Sequence, residues 1–426
     1  MPLEINMRNL AGLTTVILTV TFIAASALPQ ERVVRRMGDE PARPIDYRFP
    51  DDRDEVTVPI RLVGNAVLIP VTLGDSAVFW VTLDTGMPAD RSVMLWDSPS
   101  LDALGLGLAV DTTIRIAGAG GTGQAFTPRV ALGISIGVGD LSIRDIEVHT
   151  LPQRGAPYKR DDGVIGRMLL ANFVTELDFD RLQMRLYRPG TFQASDGWSE
   201  VPVTFKMGNP ILQAAVVIDK DSSLPVQLVV DLGAAHTLSL FTEADPRIHV
   251  PQPNIATTLG WGISGPVLGQ IARISSLLLG DHQLDHVICT FPQNGHQDLA
   301  GTKGRHGNLG CGALARFNLV FDYAGSRLLL KPNRSFGDPF EQEMAGLALK
   351  DDGDAFTVTE VLPNSPAAEA GISAGDRIVT VNDRPAAQIG YLNLRKMLKQ
   401  PGKELAIGVE RDGQRMNFRI TLRRLI

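Results

Sequence analysis

The run Trp80-Val81-Thr82-Leu83-Asp84-Thr85-Gly86 has a counterpart 147 residues later (231 − 84) in Leu228-Val229-Val230-Asp231-Leu232-Gly233, an apolar strand-like stretch that again ends in Asp-x-Gly. Upstream, Asn65 to Leu73 and Asn209 to Val217 share alternating apolar positions at an offset of 144 (209 − 65). Downstream, Gly163-Val164-Ile165-Gly166, Phe173 and Asp178-Phe179 return as Gly307-Asn308-Leu309-Gly310, Phe317 and Asp322-Tyr323, again offset by 144 (307 − 163). Three separated blocks in one order predict a duplicated unit, residues 56–190 and 199–333.

The chain of 426 residues is long enough for two or three domains. Its 42 glycines and 27 prolines are scattered among short runs of Val, Ile, Leu and Thr, which predicts a mainly β protein with tight turns. Acidic and basic residues are interspersed and the net charge is −6, so the chain has no basic footprint for nucleic acid. Two cysteines, Cys289 and Cys311, exclude a disulfide framework and leave a single bridge open.

In each unit an apolar strand enters Asp-x-Gly, a glycine-rich stretch follows, and an apolar pair ending in glycine comes later. This pattern resembles the retropepsin-like aspartic peptidases of bacteria. The resemblance implies two tandem retropepsin-like β-barrel lobes forming a pseudo-two-fold dimer within one chain, with Asp84 and Asp231 as the catalytic pair. Thr85, Gly86 and Gly233 would support that dyad. Gly118, Gly120 and Gly121, in the glycine-rich stretch of the first unit, would belong to a flap closing over substrate, and Gly260 to Gly265 take the corresponding place in the second.

Two departures from the family pattern stand out. The threonine of the motif, which reaches across to lock the opposite loop, is Leu232 in the second unit, and Met87 and Ala234 stand where relatives carry a hydroxyl donor to the carboxylate. No hydroxyl donor to either carboxylate is therefore expected from those positions.

Residues 342–426 resemble a PDZ domain, a small β domain with two helices. The order is Gly346-Leu347-Ala348-Leu349, then Ser365-Pro366-Ala367, then Gly375-Asp376-Arg377-Ile378-Val379. The resemblance implies that the backbone N–H groups of Gly346, Leu347, Ala348 and Leu349 hold the carboxylate of a peptide C-terminus, with a helix near Tyr391 to Leu398 beside the groove.

At the N-terminus Arg8 precedes an apolar run from Leu10 to Ile23, followed by Ala25-Ser26-Ala27. This predicts a signal peptide over 1–27, hence a periplasmic or secreted protein, with membrane anchoring only if the signal is uncleaved. Residues 28–55 read as an exposed spacer.

The chemistry implied is hydrolysis of peptide bonds. Two adjacent carboxylates share one proton, the charged member activates water and the protonated one polarises the scissile carbonyl. Neither a metal nor a cofactor is required. His282, His286, Cys289, His296, His306 and Cys311 lie close together in sequence, but two strand residues four apart stand ~13 Å from each other, too far for one ion. His236 reads as a strand residue rather than a base. The partners expected are peptide or protein substrates and, at the PDZ domain, peptide C-termini. The competing reading is a non-catalytic peptide-binding protein with a degenerate cleft.

Overall fold

The computed structural model describes residues 44–74, 77–110, 114–115, 125–152, 159–219, 222–262, 265–293 and 304–426. The expected signal peptide and the proposed flap residues Gly118, Gly120 and Gly121 lie outside them.

Each sequence repeat folds into a closed ring of six strands. In the first, Ala66–Leu73 pairs with Ala77–Leu83, which continues through Gly163–Ile165, Ser92–Trp96, Leu141–Leu151 and Arg129–Val138 back to Ala66–Leu73. In the second, the same circuit runs Asn209–Val217, Ser223–Asp231, Gly307–Gly310, Leu238–Leu240, His282–Pro292 and Gly265–Leu279. Registers repeat as well as order. Gly163 lies opposite Val81 and Leu95, and Gly307 opposite Leu228 and Leu240. A Cβ on Gly163 would fall 2.2 Å from the Met94 carbonyl oxygen, and one on Gly307 2.0 Å from that of Ser239. That close approach is why glycine stands at both positions.

The two barrels are joined by an antiparallel pairing of Val174–Asp178 with Phe317–Asp322, in which Glu176 faces Val320 while Thr175 faces Phe321 and Leu177 faces Leu319. Glu176 thus meets its own repeat equivalent, and its neighbours meet each other's, as a two-fold axis requires. Asp178 and Asp322, the second symmetric pair of aspartates, serve the adjoining hairpins. Asp178 accepts from the Arg181 N–H and Asp322 from the Gly325 N–H, both at 2.8 Å. A single hydrophobic core, from Ile45 to Phe340, runs through both lobes.

The segment expected to end an exposed spacer is a structural strand. Asp46–Arg48 pairs with Ser142 to Arg144 of the first barrel, and Ile45 and Phe49 are buried beside it. Tyr47, Phe49 and Phe173 form a mutually edge-on cluster. The alternation Ile45-x-Tyr47-x-Phe49 is a period-2 signal masked by charged neighbours on both sides.

Residues from Met344 onward form a separate small core. Its sheet runs, by residue range, Leu347–Asp351, Phe356–Val361, Arg377–Val381, Glu404–Arg411, Gln414–Thr421. Of the two helices expected there, one is Pro366–Ala370 and the other is split at Gly390 into Ala386–Ile389 and Tyr391–Met397. This domain touches the second barrel, with the Thr257 hydroxyl 3.5 Å from the Glu360 carboxylate. Mainly β, with two tandem barrels and a small third domain, is the fold class read from the sequence. No helix among the described residues is long and apolar enough to cross a membrane.

Phe49→Ala should lower stability by about 3 kcal/mol, since it empties an aromatic core position. Asp51→Ala, which removes an exposed partner of Arg48, should change it by less than about 1 kcal/mol. Denaturant midpoints of the two variants check the difference.

Candidate active site

Strand Ala77–Leu83 delivers Asp84 to a turn held by the Asp84 N–H on the Ile165 carbonyl at 2.8 Å and the Met87 N–H on the Asp84 carbonyl at 3.2 Å. Strand Ser223–Asp231 ends in the matching turn, where the Ala234 N–H lies 3.4 Å from the Asp231 carbonyl. The next link repeats too. The Arg167 N–H donates to the Met87 carbonyl and the Cys311 N–H to that of Ala234. Both carboxylates are half-buried.

The two turns meet. A Cβ on Gly86 would stand 3.1 Å from Asp84 Oδ1 and 3.7 Å from Asp231 Oδ1, so both carboxylates flank that glycine. A Cβ on Gly233 would collide with the Asp84 carboxylate, 2.4 Å from its Cγ. Only glycine lets the second turn approach the first aspartate this closely. Thr85 locks the junction, with its buried hydroxyl donating to the Val230 carbonyl at 2.6 Å and accepting from the Leu232 N–H at 2.9 Å. Leu232 is fully buried in the shared core and returns no hydrogen bond from its side chain, so the lock is made from one side.

With no hydroxyl at positions 87 and 234, the carboxylates take their donors from the backbone and from Asn308. Asp84 Oδ1 accepts from the Gly86 N–H at 2.7 Å, and Asp231 Oδ1 from the Ala234 N–H at 3.1 Å. Asn308 Nδ2 then donates to Asp231 Oδ2 at 2.7 Å. Sequence reading passed over Asn308, although a polar residue at the position of Val164 in an otherwise apolar pair was a visible signal. His236 is corrected with it. It lies in the turn before strand Leu238–Leu240, not in a strand, with Nε2 3.2 Å from Asn308 Oδ1. Burial lowers the His236 pKa, against the pull of the Asp231 charge and of Asn308. A neutral ring donating from Nε2 fixes the Asn308 amide with its N–H toward Asp231.

No group of three or more His, Cys, Asp or Glu among the described residues could hold a metal ion. His282 contacts the Ser199 hydroxyl and His306 Nδ1 accepts the Gln227 N–H, while His296 lies outside the described residues. Cys289 and Cys311 are free, buried thiols, and burial pushes Cys311 up to about 12. Gly-x-Ser-x-Gly occurs at Gly133–Gly137, inside strand Arg129–Val138, and at Gly371–Gly375, after a helix and before a strand. Neither is the strand-to-helix turn that exposes a serine nucleophile.

In the third domain Gly346 adopts φ +80°. Of the residues expected to hold a peptide carboxylate, Gly346 and Leu347 donate their N–H groups to the side chain of Glu343, as does Ala345 before them. Burial raises the Glu343 pKa, while Arg395 and the three N–H groups hold it down. Glu343, directly upstream of the quoted loop, is the second residue that sequence reading missed.

Residues 336–410 match the PDZ domain family model. The chain carries a PDZ domain. The periplasmic serine endoprotease DegP of Escherichia coli is 35% identical over 86 residues, 20% of this chain and 18% of that protein. The regulator of sigma-E protease RseP of Salmonella typhimurium is 38% identical over 65 residues, 15% of this chain and 14% of that protein. The chain thus spans less than a fifth of the length of these curated relatives. An aspartic proteinase from Irpex lacteus superposes with a TM-score of 0.44 at 11% identity, over 67% of this chain and 99% of that one.

Thr85→Val should cost about 2–4 kcal/mol, because it leaves the buried Leu232 N–H and Val230 carbonyl without partners. Thr85→Ser keeps the hydroxyl and should recover most of that loss. Urea unfolding of both variants is the measurement.

Proposed function

We propose that the chain is an exported aspartic endopeptidase that hydrolyses peptide bonds with Asp84, Asp231 and an activated water, and that its PDZ domain binds polypeptide. The observation that carries the reading is the junction of the two turns. Two aspartates at equivalent places in a duplicated fold are brought to either side of Gly86, with Gly233 packed on the Asp84 carboxylate. Burying two such carboxylates side by side is costly unless they share a proton, and the shared proton is what lets one act as base while the other acts as acid. Export rests on the apolar N-terminal run and agrees with the periplasmic setting of DegP.

Each carboxylate is oriented by the turn that bears it. A water between them would give its proton to the charged member as it attacks the scissile carbonyl, while the protonated member hydrogen-bonds the carbonyl oxygen. The proton later passes to the leaving amine. Asn308 and His236 hold Asp231 in place, and Thr85 sets the spacing of the two turns.

A second reading, a peptide-binding cleft without turnover, is favoured by one observation, the missing return hydrogen bond at Leu232. Cleavage of a denatured protein substrate by the mature chain separates the two. Asp84→Asn and Asp231→Asn should each lower kcat by about a thousandfold or more, since neither leaves an acid–base pair. A pepstatin-like inhibitor should block the wild type. Asn308→Val, which restores the residue type of the first repeat, should lower kcat roughly tenfold with KM unchanged. Cleavage that survives both aspartate substitutions would sink the peptidase reading, and absence of cleavage by the wild type would favour the binding one.

A further inference from the structure

Part of the expected PDZ cradle already holds a carboxylate. Three consecutive N–H groups, of Ala345, Gly346 and Leu347, converge on Glu343 at 2.8, 2.9 and 3.1 Å. Glu343 is 6% exposed. Successive N–H groups of this kind form an anion-binding concavity, and charge-assisted bonds make it a strong one. The loop has little room to open by flexing. The Leu362 N–H donates to the Gly346 carbonyl and the Ala367 N–H to the Ala345 carbonyl, and a Cβ on Gly346 would lie 2.2 Å from the Ser365 Cβ.

We propose that Glu343 supplies from within the chain the carboxylate that fills the PDZ cradle, so that the groove beside strand Leu347–Asp351 takes internal segments of extended polypeptide rather than free C-termini. A ligand carboxylate would find the N–H groups of Gly346 and Leu347, two of the four expected to receive it, already engaged by Glu343, and would have to settle against a buried carboxyl group. It would also compete with a group tethered a few residues away, whose effective concentration no dilute ligand matches. An internal segment has no such conflict. It needs only the edge of the sheet, and Leu347–Asp351 is an edge strand. Helix Tyr391–Met397 lies beside it, with the Tyr391 hydroxyl 3.3 Å from the Leu349 carbonyl. That contact marks an acceptor that an added strand would engage with its own N–H. The proposal does not rest on the peptidase reading.

The test uses the full chain carrying Asp84→Asn, so that no peptide is consumed, and a random decapeptide library prepared once as free acids and once as C-terminal amides. The tightest binders are resynthesised in both forms. Expected is less than about a twofold difference between the two forms for the chain with Glu343, and at least about tenfold tighter binding of the free acid once Glu343→Ala empties the cradle. Glu343→Met, which keeps most of the volume and removes both acceptor oxygens, should acquire the same preference and serves if the alanine variant fails to fold. A free-acid preference of about tenfold with Glu343 in place would overturn the proposal. So would failure of both libraries to yield a binder, or a folded Glu343 variant that gains no preference.

Discussion

Thr85 spans the one junction on which the site depends. Its hydroxyl ties the first aspartate turn to the backbone on both sides of Asp231, in a place that water does not reach. That contact sets the carboxylates opposite each other together with the packing of Gly233 on Asp84 and the pairing of Glu176 with Val320 on the same pseudo-axis. The hydrophobic core is continuous across this junction. Separating the barrels would expose Leu177 and Leu319 together with the locked turns. The two closed rings thus share packed surface as well as the locked turns.

Fusion of the repeats removes a constraint that identical subunits obey. In a symmetric dimer every substitution appears twice, once at each half of the site. In one chain the halves diverge independently. The N–H of residue 80 is capped by Asp162 and that of residue 227 by His306, different side chains doing the same work at matched positions. At the site the divergence goes further. Asn308 and His236 serve Asp231 alone, whereas Val164 in the first lobe is a buried apolar residue. The second lobe thus sends no hydroxyl back to the first and steadies its own aspartate from the neighbouring strand.

The architecture was legible because the repeat is written in backbone requirements. Gly163 and Gly307 stand where strands approach too closely for a Cβ, and Gly233 where a turn meets a carboxylate, so glycine could not drift at these positions. What sequence reading missed depends on where side chains go. Asn308 looks like a flaw in an apolar pair until Asp231 is placed beside it. Glu343 looks like one acidic residue among several until the chain turns its loop N–H groups back onto it. The strand at Asp46–Arg48 is three residues long, too short to outweigh its charged surroundings, and only the aromatic ring of Phe173 shows what it packs against.

The PDZ domain lies where events in its groove and in the second barrel are mechanically close. Ala348, on the groove strand, is paired with Glu360, and Glu360 is the residue that meets Thr257 on strand Asn254–Gly262. Neighbouring strands stand about 4.8 Å apart, so the groove edge is within roughly 10 Å of the second hairpin. That hairpin joins Gly262 to Gly265 at its tip, in the place that corresponds to the glycine-rich stretch of the first repeat. Trp261 and Leu268 are half-exposed on it, so the hairpin carries apolar surface that its own barrel leaves uncovered. An extended segment lying along Leu347–Asp351 would add one more strand to a sheet that already touches this hairpin. On the function proposed above, the groove and the cleft would hold parts of one polypeptide. A cradle filled from within fits that arrangement, because a chain threaded past the groove presents its interior and not its end.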